Sequence, residues 1–163
     1  MQHAFWGILT DLGDGYMTDI QFQSDFFHDK NGVYLGGLYD EDFDDTGQRI
    51  PPSLELQDEY QLTYQSFLQH WTQLLAQLQE KAFAHYQELY AHYYENPENS
   101  DVPALNIDRI EKHNPYILDL LYIRIGADQT VRLAIDYQLD SEHGLEFLFI
   151  NNELVDIAGI AET

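Results

Sequence analysis

The chain has 163 residues, long enough for one domain with a buried core, and at 44% hydrophobic and 14% aromatic it is too apolar to be a disordered polymer. Asp and Glu number 29 against 7 Lys and Arg, a formal charge of -22, so the surface repels nucleic-acid phosphates and anionic lipids and attracts basic partners. There is no cysteine, which excludes disulfides, thiolate metal sites and cysteine nucleophiles.

The N-terminus, Met1-Gln2-His3-Ala4-Phe5-Trp6, has neither the basic region nor the apolar run of a signal peptide. No later stretch approaches the ~20 apolar residues of a membrane span, so a cytoplasmic location with no membrane partner is expected. Residues 3–9 and 16–22 read as two short strands around the turn segment Asp11-Leu12-Gly13-Asp14-Gly15. Residues 33–39 read as a third strand, softened by Gly36 and Gly37, and an acidic loop follows. Pro51 and Pro52 keep any helix from starting earlier.

From Asp58 to Glu95 the apolar residues recur at steps of three and four, among them Tyr60, Tyr64, Phe67, Trp71, Leu78, Tyr86 and Tyr93. The spacing predicts one long helix or two nearly collinear ones, ended near Asn96-Pro97. A short helix is expected over residues 106–113. Strands are expected over residues 117–125, 131–139, 145–150 and 153–157, and their short connections favour antiparallel hairpins. Strand groups flanking a helix predict an α+β fold: one domain over residues 1–163, its antiparallel sheet of N- and C-terminal strands packed on a long central helix.

The negative charge is spread along the chain. Residues 1–56 carry 11 acids and 2 bases, residues 57–98 carry 6 and 1, and residues 99–163 carry 12 and 4. The densest stretch contains Asp40, Glu41, Asp42, Asp44 and Asp45. It imitates a calcium loop, but Asp45 stands where that loop turns on Gly, and Pro51 stands where it needs a bidentate Glu. An electrostatic docking loop is the better account.

His85, Glu88, His92 and Glu95 share one helix face by spacing, yet they match no H-E-x-x-H or E-x-x-H signature, so no metal is expected. No G-x-S-x-G, G-x-G-x-x-G or G-x-x-x-x-G-K-[ST] motif is present, which argues against an enzyme and against a nucleotide cofactor. A hydrolase or metal enzyme assembled from scattered Asp, Glu and His remains an alternative, because a fold can bring carboxylates together without a sequence motif.

Asp140-Ser141-Glu142-His143-Gly144 reads as a hairpin connection. In it Asp140 accepts backbone hydrogen bonds, Gly144 takes a positive φ, and Glu142 and His143 project near the tip. This segment, with Glu153-Leu154-Val155-Asp156-Ile157-Ala158-Gly159 after it and the helix from Phe67-Leu68 to Tyr93-Tyr94 before it, resembles an uncharacterised bacterial family. Members of that family end in a W-D-x-E-H-G hairpin. Leu139 stands here in place of the Trp, which marks the position as a packing site.

The resemblance implies an immunity protein, of the kind encoded beside polymorphic or contact-dependent toxins. The expected function is then to bind and occlude a cognate toxin domain, a basic one of nuclease type. The expected contact residues are Asp40, Glu41, Asp42, Asp44, Asp45, Glu142 and His143. The alternative of the same chemistry is an acidic binding module, such as a DNA mimic or a regulatory adaptor.

Overall fold

Two groups of strands, one on each side of a helical segment, build the sheet. In the computed structural model of the protein, residues 2–36 and 43–162 are described. β1 (Gln2–His3) and β2 (Gly7–Ile8) form a separate two-stranded sheet, so the strand expected over residues 3–9 is a tight hairpin instead. His3 builds its turn: Nδ1 accepts the N–H groups of Phe5 and Trp6 at 3.2 and 3.3 Å, leaving Nε2 to donate to Asp58 at 3.1 Å. The turn buries Trp6 completely, and the indole N–H donates to the Gln57 carbonyl at 2.8 Å.

β3 (Thr10–Asp11), β4 (Tyr16–Phe22) and β5 (Asn31–Leu35) form an antiparallel meander. β6 (Asp119–Gly126), β7 (Thr130–Asp136), β8 (Leu145–Ile150) and β9 (Glu153–Ala158) form a second. The two join side by side into one seven-stranded sheet, in the order β3-β4-β5-β6-β7-β8-β9. The sequence predicts an antiparallel sheet, but the central pair runs parallel, with Val33 opposite Ile123 and Leu35 opposite Ile125. A parallel pair needs a long crossover, and the helical segment between β5 and β6 supplies it. The strand expected over residues 33–39 ends at Leu35, and residues 37–39 lie outside the described residues.

α1 (Leu54–Gln69) begins directly after Pro52, because Ser53 Oγ accepts the Leu56 N–H at 3.2 Å and caps it. α2 (Trp71–Leu89) and α3 (Ala91–Tyr94) continue the run with interruptions at His70 and Tyr90. Backbone hydrogen bonds carry across the first break, from His70 N–H to Ser66 and from Leu74 N–H to His70. The His70 ring also donates to the Ser66 carbonyl, at 2.8 Å, so side chain and main chain share one acceptor and the helix is disturbed there.

α4 (Pro97–Ser100) follows, then α5 (Ile110–His113) and a 3₁₀ turn over Asn114–Tyr116. The helix expected over residues 106–113 is reduced to its last turn. Asn106 sits at φ 58°, and the N–H groups of Asn106 and Ile107 go to Glu95 instead of into a helix.

One helix face and one sheet face make the core. Tyr64, Phe67, Leu74, Leu78, Ala82 and Tyr86 belong to the same buried cluster as Val33, Leu35, Ile123, Ile125, Leu133, Phe147 and Phe149. Among the described residues, no helix is long and apolar enough to cross a membrane.

Candidate functional site

Strand register separates the sequence-predicted contact residues. At one end of the sheet Leu35 pairs with Ile125, Gly126 with Thr130 and Thr130 with Ile150. The acidic segment leaves β5 at this end, and Asp44 and Asp45 belong here. Asp40, Glu41 and Asp42 lie outside the described residues. At the other end Asp119 pairs with Asp136 and Ile135 with Leu145, and the hairpin bearing Glu142 and His143 stands there. The two sets do not meet.

The acidic end is a fixed hairpin. Phe43 and Arg49 form an antiparallel bridge, and the Asp44 N–H donates to the Gln48 carbonyl at 2.8 Å. Asp44 Oδ1 accepts from the Thr46 hydroxyl at 2.6 Å, and from the N–H groups of Thr46 and Gln48 at 2.8 and 2.9 Å. Those bonds, the Thr46 hydroxyl first, hold the Asp44 carboxyl below its ordinary range. In this hairpin Asp44 therefore closes its own turn, the role a calcium ligand would have to give up.

Arg49 then ties the hairpin to the β3–β4 turn. Its guanidinium lies 5.2 Å from the Phe43 ring centroid and donates to the Gly13 carbonyl at 2.8 Å, while the Tyr16 hydroxyl donates to the Arg49 carbonyl at 2.9 Å. Asp45 is exposed and stays free to act at a distance.

Beneath this end, on the sheet face opposite the helices, sits a charged cluster that the sequence reading passed over. Tyr34, Arg124 and Arg132 are consecutive cross-strand neighbours, and Tyr122, Ala134 and Glu146 form the adjacent row. Arg124 is 1% exposed and lies between the rings of Tyr34 and Tyr122, at 5.1 and 5.4 Å. Its Nη1 donates to the carbonyls of Asp14 and Gly36 at 2.8 and 3.2 Å. It thus joins the β3–β4 turn to the end of β5, and a Cβ at Gly15 would collide with its guanidinium.

Small Ala134 lets the Tyr122 hydroxyl reach across to Glu146, which also pairs with Arg132 at 3.1 Å. Glu146 is the buried carboxylate among the described acids. The signal in the sequence is one charge between two apolar residues on each of three strands: Arg124 between Ile123 and Ile125, Arg132 between Val131 and Leu133, Glu146 between Leu145 and Phe147.

The opposite end uses its polar groups internally. Tyr90 donates to Asp140 Oδ2 at 2.8 Å, Tyr94 to the Leu139 carbonyl at 2.5 Å, and Tyr86 to Glu95 at 2.6 Å. Burial alone would raise the Asp140 carboxyl, but hydrogen bonds from His143 and Tyr90 outweigh it and hold it low. In return Asp140 raises the His143 imidazole, whose Nδ1 lies 2.9 Å from Oδ1. Leu139 is 9% exposed and joins the core, in keeping with a packing role. Glu142 is exposed at the tip.

The residues that share one helix face by spacing divide along the same line. Glu95 accepts Tyr86 and the N–H groups of Asn106 and Ile107, so it anchors the chain after α4. His85 is half-buried beside the Tyr90 ring, where burial lowers its imidazole against the pull of Glu88, and His92 faces solvent.

A family model described as a domain of unknown function (DUF6985) matches residues 17–162, and the chain belongs to that family. No curated protein and no solved structure matches it.

Proposed function

We propose that the protein is a cytoplasmic immunity protein that neutralises a cognate toxin domain, basic and of nuclease type, by binding and occluding it. The disposition of charge supports this reading. Of the 7 basic side chains four are tied internally. Arg124 and Arg49 donate to backbone carbonyls, Arg132 pairs with Glu146, and Lys112 pairs with Asp108 at 2.9 Å. Nearly all the described carboxylates, by contrast, face outward. The field seen from solvent is therefore more uniformly negative than the composition alone requires, and it steers a basic partner over a Debye length of about 8 Å.

In this mechanism Asp44 and Asp45, with neighbouring Asp40, Glu41 and Asp42, guide the approach, and Glu142 and His143 add to the field from the other end. Exposed apolar side chains then hold the complex. Steered association can reach ~10⁸–10⁹ M⁻¹s⁻¹ at low salt.

Co-expression with the toxin encoded beside the gene should rescue the host cell, and the purified pair should associate more slowly as salt rises while dissociation changes little. Replacing the five acids of residues 40–45 with amides should lower the association rate and flatten its salt dependence. Failure to rescue and to bind any neighbouring gene product would falsify the immunity reading. Equal affinity for unrelated basic proteins would replace it with a general acidic binding module.

A further inference from the structure

The acidic hairpin holds more than charge. Phe43 is 51% exposed, Leu12 48% and Ile50 47%, large apolar side chains at which burial by a partner is worth most. Phe43 lines a hollow that Leu12 and Ile50 adjoin along the chain. This open hollow, of about 540 Å³, is lined by Asp11, Gly13, Tyr16, Phe43, Gln48 and Arg49. Leu12 lies between two of these residues in the chain, and Ile50 follows a third. Arg49 locks the pieces together through Phe43, Gly13 and Tyr16. A surface already held in place loses little conformational freedom on binding. Around the apolar residues stand Asp11, Asp14, Asp44 and Asp45, all exposed.

We infer that the Phe43 end of the sheet is the docking surface for a basic protein, and that it takes an aliphatic side chain ringed by lysine or arginine. The charge complementarity selects this occupant. A second copy of the chain would bring another -22 charge against the same acids, whereas a basic surface brings the opposite sign. Apolar contact at the centre resists dissociation, and the carboxylate rim sets approach and orientation. Arg49 keeps its positive charge, but it is held on the Gly13 carbonyl and the Phe43 ring, and the exposed carboxylates of this end outnumber it. The inference rests on the protein-binding reading above but not on which partner is bound.

The test therefore needs no toxin. The probes are a lysine-rich peptide with one central leucine and the same peptide with serine at that place, both titrated at physiological salt into isotope-labelled protein. The leucine peptide should bind about tenfold more tightly, the effect of burying one such side chain. Its amide shift changes should gather over residues 11–16 and 43–50. Phe43→Ser should remove the preference and leave the fold unchanged, and Leu12→Ser should reduce it. Equal affinity for the two peptides, or shift changes centred elsewhere on the molecule, would overturn the inference. A leucine preference without binding to the neighbouring toxin keeps this surface and removes the immunity reading. Toxin binding that ignores both serine variants removes this surface alone.

Discussion

The two ends of the sheet carry similar residue types and use them in opposite ways. At the hairpin end Asp140, Glu95, Tyr86, Tyr90 and Tyr94 bond to one another or to backbone, and little is left over for a partner. At the Phe43 end Arg49 and Arg124 bond to backbone carbonyls and Asp44 closes its own turn, while Asp45 and the side chains of Leu12, Phe43 and Ile50 face outward. Two aspartates of equal charge illustrate the contrast. Asp140 is spoken for by Tyr90 and His143, whereas Asp45 has solvent around it. Counting carboxylates therefore does not locate a binding surface. What matters is whether their partners lie within the molecule.

The strongest way to break the comparison is at Gly144, because the hairpin end should be the structural one. Gly144 has φ 62°, and a Cβ there would lie 2.6 Å from Ile160 Cδ1 and 2.9 Å from the Ile135 carbonyl oxygen. Gly144→Val adds left-handed strain for a β-branched residue to a clash with backbone, a cost of roughly 3–5 kcal/mol. Its melting midpoint should fall by about 10 °C or more. A midpoint close to the parent's would show that the turn relaxes freely and that this end is not the rigid one.

Acid should act at the same end. His113 is fully buried among Phe83, Tyr86 and Tyr137, with Nε2 2.9 Å from the Tyr137 hydroxyl and Nδ1 without a partner. Burial, helped by His85, pushes its imidazole down to about 4. The unfolded chain, at the ordinary 6.5, therefore binds the proton first. Stability should fall as pH drops below about 6.5 and level off below about 4, with a full loss on the order of 3 kcal/mol. Comparing melts of the parent and His113→Phe between pH 7 and pH 4 isolates this part from the general titration of carboxylates. Parallel curves for the two proteins would mean that His113 is not buried as described.

Arg124 provides the counterpart at the Phe43 end. Arg124→Met leaves the Asp14 and Gly36 carbonyls without their donor, at a cost of roughly 2 kcal/mol. Amide exchange should speed up around residues 13–16 and 34–36 and stay unchanged around residues 137–145. Exchange that rises equally at both ends would show that they are one cooperative unit.

Much of the hairpin end was legible in the chain because its determinants are local. An apolar run bounded by turn residues marked β8 to the residue, and Asp140 with Gly144 announced the turn through residue chemistry that needs no tertiary contact. The parallel pairing of β5 with β6 was not legible, since it depends on where a long helical crossover returns the chain. Nor was the burial of Arg124 and Glu146. Alternation says which face a side chain takes, and on that face it predicts solvent. Here tyrosine rings and the Gly13–Gly15 turn cover the charges instead. The Phe43 surface was hidden for a related reason: Arg49 joins the Phe43 ring to the Gly13 carbonyl, and those two residues lie far apart in the chain.

The smallest expected effect is the most discriminating, because it sets two histidines of one end against each other. His143 is exposed, and Asp140 raises its imidazole above the ordinary 6.5. The sign is then the reverse of that at His113. The folded protein binds this proton more tightly than the unfolded chain does, so the pair's contribution is fully present below pH 6.5 and is lost as pH rises through the folded value. His143→Ala should accordingly lower the melting midpoint slightly at pH 5.5 and leave it unchanged at pH 8.5, and at either pH the effect should be far below that of Gly144→Val. An alanine variant as stable as the parent at both pH values would mean that the His143–Asp140 contact adds nothing in solution, leaving Tyr90 as the partner that holds Asp140. A loss relative to the parent that is larger at pH 8.5 than at pH 5.5 would mean that the neutral ring is the form the fold prefers, and that this imidazole, like that of His113, is held against its proton.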